Sequence, residues 1–283
     1  MIKNIIVPVD FSEDALHGLD VAVLLSQYGY VNIQLVYVQK KSGDYRGSVD
    51  DEKKMAIREF EKILGQYESR LGNESKLRYI IKQGKIYAEI VNQAHSYNDS
   101  MIVTSTHGAS GFEEIFIGSN AFKVISATTR PVITVRHGNV PKAIKKIVLP
   151  INAISETRQK VPFTVDYARF FGAEIHCIAV CASRDEKIQR KLNAYHNQVK
   201  KYLDDRNINY KHASLMGENV SDLTVNYAHE VDADIISIIG EKDSSLSLIS
   251  GSYGHQVINN ANTLVLNLSP RDLKIAGSFR TTG

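Results

Sequence analysis

The sequence predicts an α/β fold: two tandem Rossmann-like domains, each a five-stranded, mostly parallel sheet with helices on both faces. Three observations predict it. The chain has 283 residues, about two domains on a prior of roughly 150 residues each. It repeats itself, because Ile2-Lys3-Asn4-Ile5-Ile6-Val7-Pro8-Val9-Asp10 returns in pattern as Ile144-Lys145-Lys146-Ile147-Val148-Leu149-Pro150-Ile151-Asn152. Within each half, short apolar runs alternate with stretches of helical spacing, which implies parallel strands joined by right-handed crossovers.

The repeat holds along the chain. Asn92-Gln93-Ala94-His95 returns as Asn226-Tyr227-Ala228-His229. Gly118-Ser119 with Val124-Ile125 returns as Gly251-Ser252 with Val257-Ile258. Matches in one order at a nearly constant offset point to duplication. The expected domains are 1–138 and 143–269, joined by the short linker around His137 to Pro141, with a flexible tail at 270–283.

In the first half the expected strands are Ile5–Val9, Val31–Val38, Leu77–Ile81, Met101–Ser105 and Val132–Val135. The clearest helical stripe carries Ala56, Phe60, Ile63, Leu64, Tyr67 and Leu71. Its counterpart carries Ile188, Leu192, Tyr195, Val199 and Leu203, and both stripes read as core.

Composition is that of a globular protein, with 43% hydrophobic and 23% charged residues. The net charge of +3 is spread among acids, so no block of Lys and Arg asks for nucleic acid or an anionic membrane. The apolar start is cut short by Pro8 and Asp10, and no run approaches the ~20 residues of a membrane helix. Two cysteines give no disulfide framework, and a cytoplasmic location is expected. His176, Cys177 and Cys181 superficially suggest a metal site. Strand alternation puts His176 on the opposite face from the two cysteines, and a buried strand is the expected reading.

In sheets of this kind ligands bind beyond the carboxyl ends of the strands. Asp10 ends the first strand, where it either supports a helix cap with Ser12 or accepts bonds from a sugar hydroxyl or base amine. The stretch Thr106-His107-Gly108-Ala109-Ser110-Gly111, continuing to Gly118-Ser119-Asn120, offers glycines that let backbone N–H groups turn toward a phosphate. Ser119 stands where the next helix begins, and a helix N-terminus suits an anion. Lys123 reads as a solvated helix lysine that could add charge, and His107 as a loop-shaping residue that could touch phosphate. Val38 is either core or a backbone contact to an adenine edge. The spacings G-x-x-x-x-G-K-[ST] and G-x-G-x-x-G after the first strand are absent.

Together these segments resemble the universal stress protein family in its tandem two-domain form. The resemblance rests on Val7-Pro8-Val9-Asp10-Phe11-Ser12-Glu13, Leu35-Val36-Tyr37-Val38, Ser105-x2-Gly108-x9-Gly118-Ser119 and Arg130-Pro131-Val132-Ile133-Thr134-Val135. It covers the first half and, more faintly, 144–268. It implies ATP (or AMP or ADP) as ligand, with Mg2+. Asp10 and the backbone at Val38 would address adenine and ribose, and Gly108, Gly118, Ser119 and the amide of Asn120 the phosphates. Pro8, Thr104 and Ser105 would line the pocket. Ser105 stands where the family pattern has its first glycine.

The second half departs further, with Asn152 at the place of the acid and Lys242 or Asp243 at the second glycine, so it is expected to be structural and not to bind ATP. The resemblance also implies an intramolecular pseudo-dimer through Val132–Val135 and Leu264–Leu268, and a homodimer of whole chains is compatible with it. The leading expectation is a nucleotide-binding stress-response or regulatory protein with no catalytic residue assigned. The competing readings are an interaction scaffold or binder of another small molecule with a vestigial loop, and a slow ATPase.

Overall fold

The computed structural model of the chain describes residues 2–39, 49–106, 118–136, 138–240 and 252–270. It divides into two compact units, Met1–Lys142 and Ala143–Gly283.

In the first unit the strands are β1 (Asn4–Pro8), β2 (Asn32–Gln39), β3 (Lys76–Gln83), β4 (Ser100–Ser105) and β5 (Val132–Val135). Neighbouring strands are parallel, in the order β3-β2-β1-β4-β5. The chain builds outward from β1 through β2 to β3, then returns to the other side of β1 for β4. Strand order therefore reverses between β1 and β4, which opens a crevice at their carboxyl ends. β1, β4 and β5 are largely buried, as expected of strands covered on both faces, with Ser100, Thr104 and Ser105 the polar residues of β4.

Helix α1 (Glu13–Ser26) follows β1, and its entry is fixed locally. The Ser12 side chain caps it by accepting from the Ala15 amide at 3.2 Å. Phe11, just before the cap, lies in the left-handed region at φ 65°, a conformation that costs a side-chain-bearing residue about 1 kcal/mol. Its ring offsets that cost by packing on Tyr37 at 4.8 Å and on Phe60 at 5.1 Å. Phe60 belongs to α2 (Val49–Tyr67) and stacks on Tyr79 of β3 at 4.4 Å, which fastens that helix to the sheet. Replacing Ser12 by Ala should cost about 1 kcal/mol of stability by chemical denaturation, and an unchanged midpoint would show the cap to be idle. Helices α3 (Ile86–His95) and α4 (Ser119–Ala127) complete the unit.

The second unit repeats the plan with β6 (Lys146–Ile151), β7 (Glu174–Cys181), β8 (Tyr210–Met216), β9 (Ile235–Ile239) and β10 (Leu264–Leu268). These parallel strands run β10-β9-β6-β7-β8. Its helices are α5 (Val161–Phe171), α6 (Glu186–Asp204), α7 (Val220–Glu230) and α8 (Tyr253–Asn260).

Two details of the expected stripes are corrected. Leu71 falls after α2 has ended and a short 3-10 turn, Glu68–Arg70, has intervened. On α6 the inward positions are Leu192, His196, Val199 and Leu203, while Ile188 is exposed and Tyr195 sits at the rim. His196 takes the core slot because its Nε2 bonds the Cys177 carbonyl oxygen at 3.2 Å, so the imidazole keeps a polar partner while buried.

On β7 alternation holds. His176 meets the Tyr227 hydroxyl of α7 at 3.1 Å, whereas the Cys177 residue faces α6. Both cysteines are free thiols. Among the described residues no group of three or more His, Cys, Asp or Glu side chains could hold a metal. Among the described residues no helix is long and apolar enough to cross a membrane.

Candidate functional site

A cavity of about 270 Å3 opens at the carboxyl ends of the first unit's strands, where the order reverses. That is just under the ~300 Å3 at which small-molecule sites typically begin. Pro8, Asp10, Val38, Thr104, Ser105, Gly118, Ser119 and Asn120 all line it. Of the expected site residues, Gly108 lies outside the described residues, as does His107.

Four separate elements bring these residues together. Asp10 follows β1 directly, and its Oδ1 accepts from the Ser12 amide at 3.1 Å and from the Ser12 hydroxyl at 2.5 Å. The cap and the ligand readings of this segment are therefore compatible, since Ser12 caps the helix and Asp10 braces Ser12. The carboxylate itself remains solvent-exposed at the mouth.

Val38 is presented by strand parity. The Val36 carbonyl accepts from the Val9 amide at 3.0 Å, so the backbone groups of Val36 face β1. Two residues on, those of Val38 point the same way, but β1 has ended at Pro8. They look over the end of β1 into the crevice. On β4, Thr104 and Ser105 are buried, and the Thr104 hydroxyl donates to the Ser105 carbonyl at 3.1 Å. The cavity persists with the Ser105 side chain on its wall.

The fourth element is the start of α4, whose N-cap is Gly118 with no side-chain hydrogen bond. The Gly118 amide donates to the Thr106 carbonyl at 2.7 Å, so it closes the turn and is not turned toward the cavity. The Phe122 amide makes the first helical bond, to the Gly118 carbonyl at 3.1 Å. The amides of Ser119, Asn120 and Ala121 precede that bond, which makes them the donors an uncapped helix offers to an anion. The same three residues line the cavity.

Sequence reasoning missed part of the wall. Val36, Ile86, Ile90 and Val124 give the cavity an apolar side. Ile86 and Ile90 lie one turn apart on α3, a spacing indistinguishable in sequence from an ordinary core stripe. Among the described residues Asp10 is the only carboxylate lining the cavity, beside an apolar wall. That arrangement suits a flat, mostly apolar group with a polar edge, extended by an anion at the start of α4.

In the second unit, Asn152 stands at the place of Asp10. Its Oδ1 accepts from the Ile154 amide at 3.0 Å, so the same two-residue turn is kept and only the charge is lost. Next to it, Lys160 is 2% exposed, with its Nζ bonded to the Thr157 hydroxyl at 3.1 Å.

Comparison with known proteins agrees with this layout. The model of the universal stress protein family matches residues 1–136. Universal stress protein YxiE of Bacillus subtilis (strain 168) is 26% identical over 148 residues, 48% of this chain and all of the relative. A universal stress protein from Archaeoglobus fulgidus DSM 4304 superposes with a TM-score of 0.78 at 19% identity, over 95% of this chain and 97% of that one. The functionally unknown protein PA1789 from Pseudomonas aeruginosa PAO1 gives 0.60 at 14% identity, over 95% and 93%. At such identities the two structures speak for the fold alone.

Proposed function

The N-terminal half of this chain belongs to the universal stress protein family, and from that premise we propose that its cleft binds one adenine nucleotide, ATP in the first place, in a stress-response or regulatory role. The observation that carries this reading is a convergence. An acid after β1, the free-facing backbone of Val38 and the uncapped start of α4 border a single cavity. An adenine ring fits against Val36, Ile86 and Ile90, with its polar edge toward the backbone of Val38. Asp10 then accepts from a ribose hydroxyl, and the amides of Ser119, Asn120 and Ala121 receive phosphate oxygens. Mg2+ would be held chiefly by the phosphates, with the cavity supplying hydroxyl groups.

The reading is one of binding. Among the described lining residues Asp10 is the one carboxylate, and this reading gives it to the ribose and not to a water molecule. Calorimetry with Mg-ATP on the full chain should give one equivalent per chain, and no heat of binding with ATP, ADP or AMP would sink the proposal. Asp10→Asn should weaken binding about tenfold, because a charge-assisted acceptor is replaced by a neutral amide. Its melting temperature should stay within about 1 °C of the wild type, since Asn152 shows that an amide keeps the turn. An Asp10→Asn protein that binds as tightly as the wild type would remove the acid from the site.

A further inference from the structure

The sheet registers allow the wall of the first cleft to be followed, residue by residue, into the second unit. Asn4 faces Asn32, and Lys146 faces Glu174 (4 to 146 and 32 to 174, both 142 on). Met101 faces Ile5, and Ile235 faces Ile147 (101 to 235, 134 on). Helices α3 and α7 begin at Ile86 and Val220, the same 134 apart. The turns before α4 and α8 match at 133, Ser119 to Ser252.

On this map Thr104 becomes Ile238, Ile90 becomes Thr224 and Asn120 becomes Tyr253. In the first unit all three positions line the cavity. In the second unit they touch one another or their neighbours. The Tyr253 hydroxyl lies 3.0 Å from Thr224 Oγ1, and Thr224 is fully buried. Thr224 Oγ1 itself donates to the Val220 carbonyl at 2.9 Å, so the tyrosine is the donor in the pair. Burial pushes the Tyr253 hydroxyl above the usual tyrosine range. Ile238 is fully buried, and its Cδ1 comes within 3.5 Å of where Gly254, the position of Ala121, would carry a Cβ.

The anion-facing amides are altered too. Ser252 is the N-cap of α8 and accepts from the His255 amide at 3.4 Å, a bond that α4 lacks.

We propose that Tyr253, seated on Thr224 with Ile238 packed at the adjacent Gly254, fills the second unit's ligand space with the chain's own side chains, so that these positions set the number of sites. Loss of the acid at Asn152 is then secondary to the filling of that space. The statement about site number rests on the nucleotide reading of the first cleft, but the filling of the second cleft does not.

The test is chemical rescue in the full chain with p-cresol, the tyrosine side chain as a free molecule. Tyr253→Ala should melt about 5 °C or more below the wild type and recover at least half of that loss in millimolar p-cresol. Wild type and Tyr253→Phe, whose ring remains in place, should not respond. If Tyr253→Ala is too unstable to purify, the same comparison on Tyr253→Leu decides. A variant that gains no more from p-cresol than the wild type overturns the proposal, because no ring-shaped space was vacated. Two equivalents of Mg-ATP per wild-type chain also overturn it. One equivalent supports it. No nucleotide binding together with cresol rescue leaves the filled cleft standing and removes the reading of the first cleft instead.

Discussion

Gly118→Asp is expected to abolish nucleotide binding while leaving the fold about as stable as before. Gly118 is the N-cap of α4 at φ −54° and ψ 142°, a conformation any L-residue adopts, so the substitution meets no backbone strain. A Cβ there would lie 3.2 Å from the Thr106 carbonyl oxygen, a contact relieved by a few tenths of an ångström. The new carboxylate would then do what Asp185 does for α6, where one oxygen accepts from the Lys187 amide at 2.7 Å and from the Ile188 amide at 3.2 Å.

Relative to glycine, the cap adds only roughly a few tenths of a kcal/mol to the helix, and the amides it occupies are the ones proposed to hold phosphate. The site thus loses its donors and gains a charge of the ligand's own sign. Together these should weaken Mg-ATP binding about a thousandfold or more, equivalent to about 4 kcal/mol. Gly118→Ala, which adds only the methyl, should stay within about tenfold of the wild type. Gly118→Asn, a cap without charge, should fall between the two and so separate amide capture from repulsion. Calorimetry and thermal melts on the three variants decide the matter. An aspartate variant that binds within tenfold of the wild type would mean the phosphates lie elsewhere.

That argument needed the structure, and the reason is physical. The sheet was legible because strand and helix periods differ and because duplication wrote the pattern twice. The positions after β1 and β4 were legible because strand order dictates where a crevice opens. What the sequence could not reveal was which backbone groups are already taken. Gly118 reads as a phosphate donor in sequence, yet its amide closes a turn on Thr106. Ala121, with no polar side chain, leaves no sequence signal and still lines the cavity. Ile86 and Ile90 carry the same helical period as any core residue, and only the crevice beside them makes them a wall. Tyr195 and His196 exchanged places on α6 for a similar reason. Apolar spacing favoured the tyrosine, but the Cys177 carbonyl oxygen gives the imidazole a polar partner.

The buried Lys160 leads to the other large effect. Its counterpart in the first unit, 142 positions earlier, is Gly18, packed at ordinary contact distance over Val7 and the backbone of Val103 and Ser105. In the second unit a lysine fills that place at 2% exposure, bonded to a hydroxyl and, among the described residues, to no carboxylate. Burial lowers its pKa from 10.5 to about 7, an effect that proximity to Cys177 only partly opposes.

The sign of the consequence follows from counting protons. Between about pH 7 and pH 10.5 the unfolded chain carries the proton and the folded chain does not, so stability rises with pH across that window. Below pH 7 both forms are charged and the full penalty remains. A shift of this size corresponds to about 4–5 kcal/mol.

Lys160→Met keeps the length of the side chain and removes the charge, at the loss of one bond to Thr157 worth about 1 kcal/mol. At pH 7 the variant should therefore be more stable by about 3 kcal/mol, and by pH 10 that advantage should have largely vanished. Cys177 acts the other way in both proteins. Burial pushes its thiol up to about 12, so above pH 9 the unfolded state alone ionises and stability falls. The difference between the two proteins cancels that term. Urea unfolding of the second unit's transition from pH 7 to pH 10 measures it. Parallel curves for wild type and Lys160→Met would show that the buried amine is not protonated differently in the folded and unfolded chains, and the charge argument would fail with it.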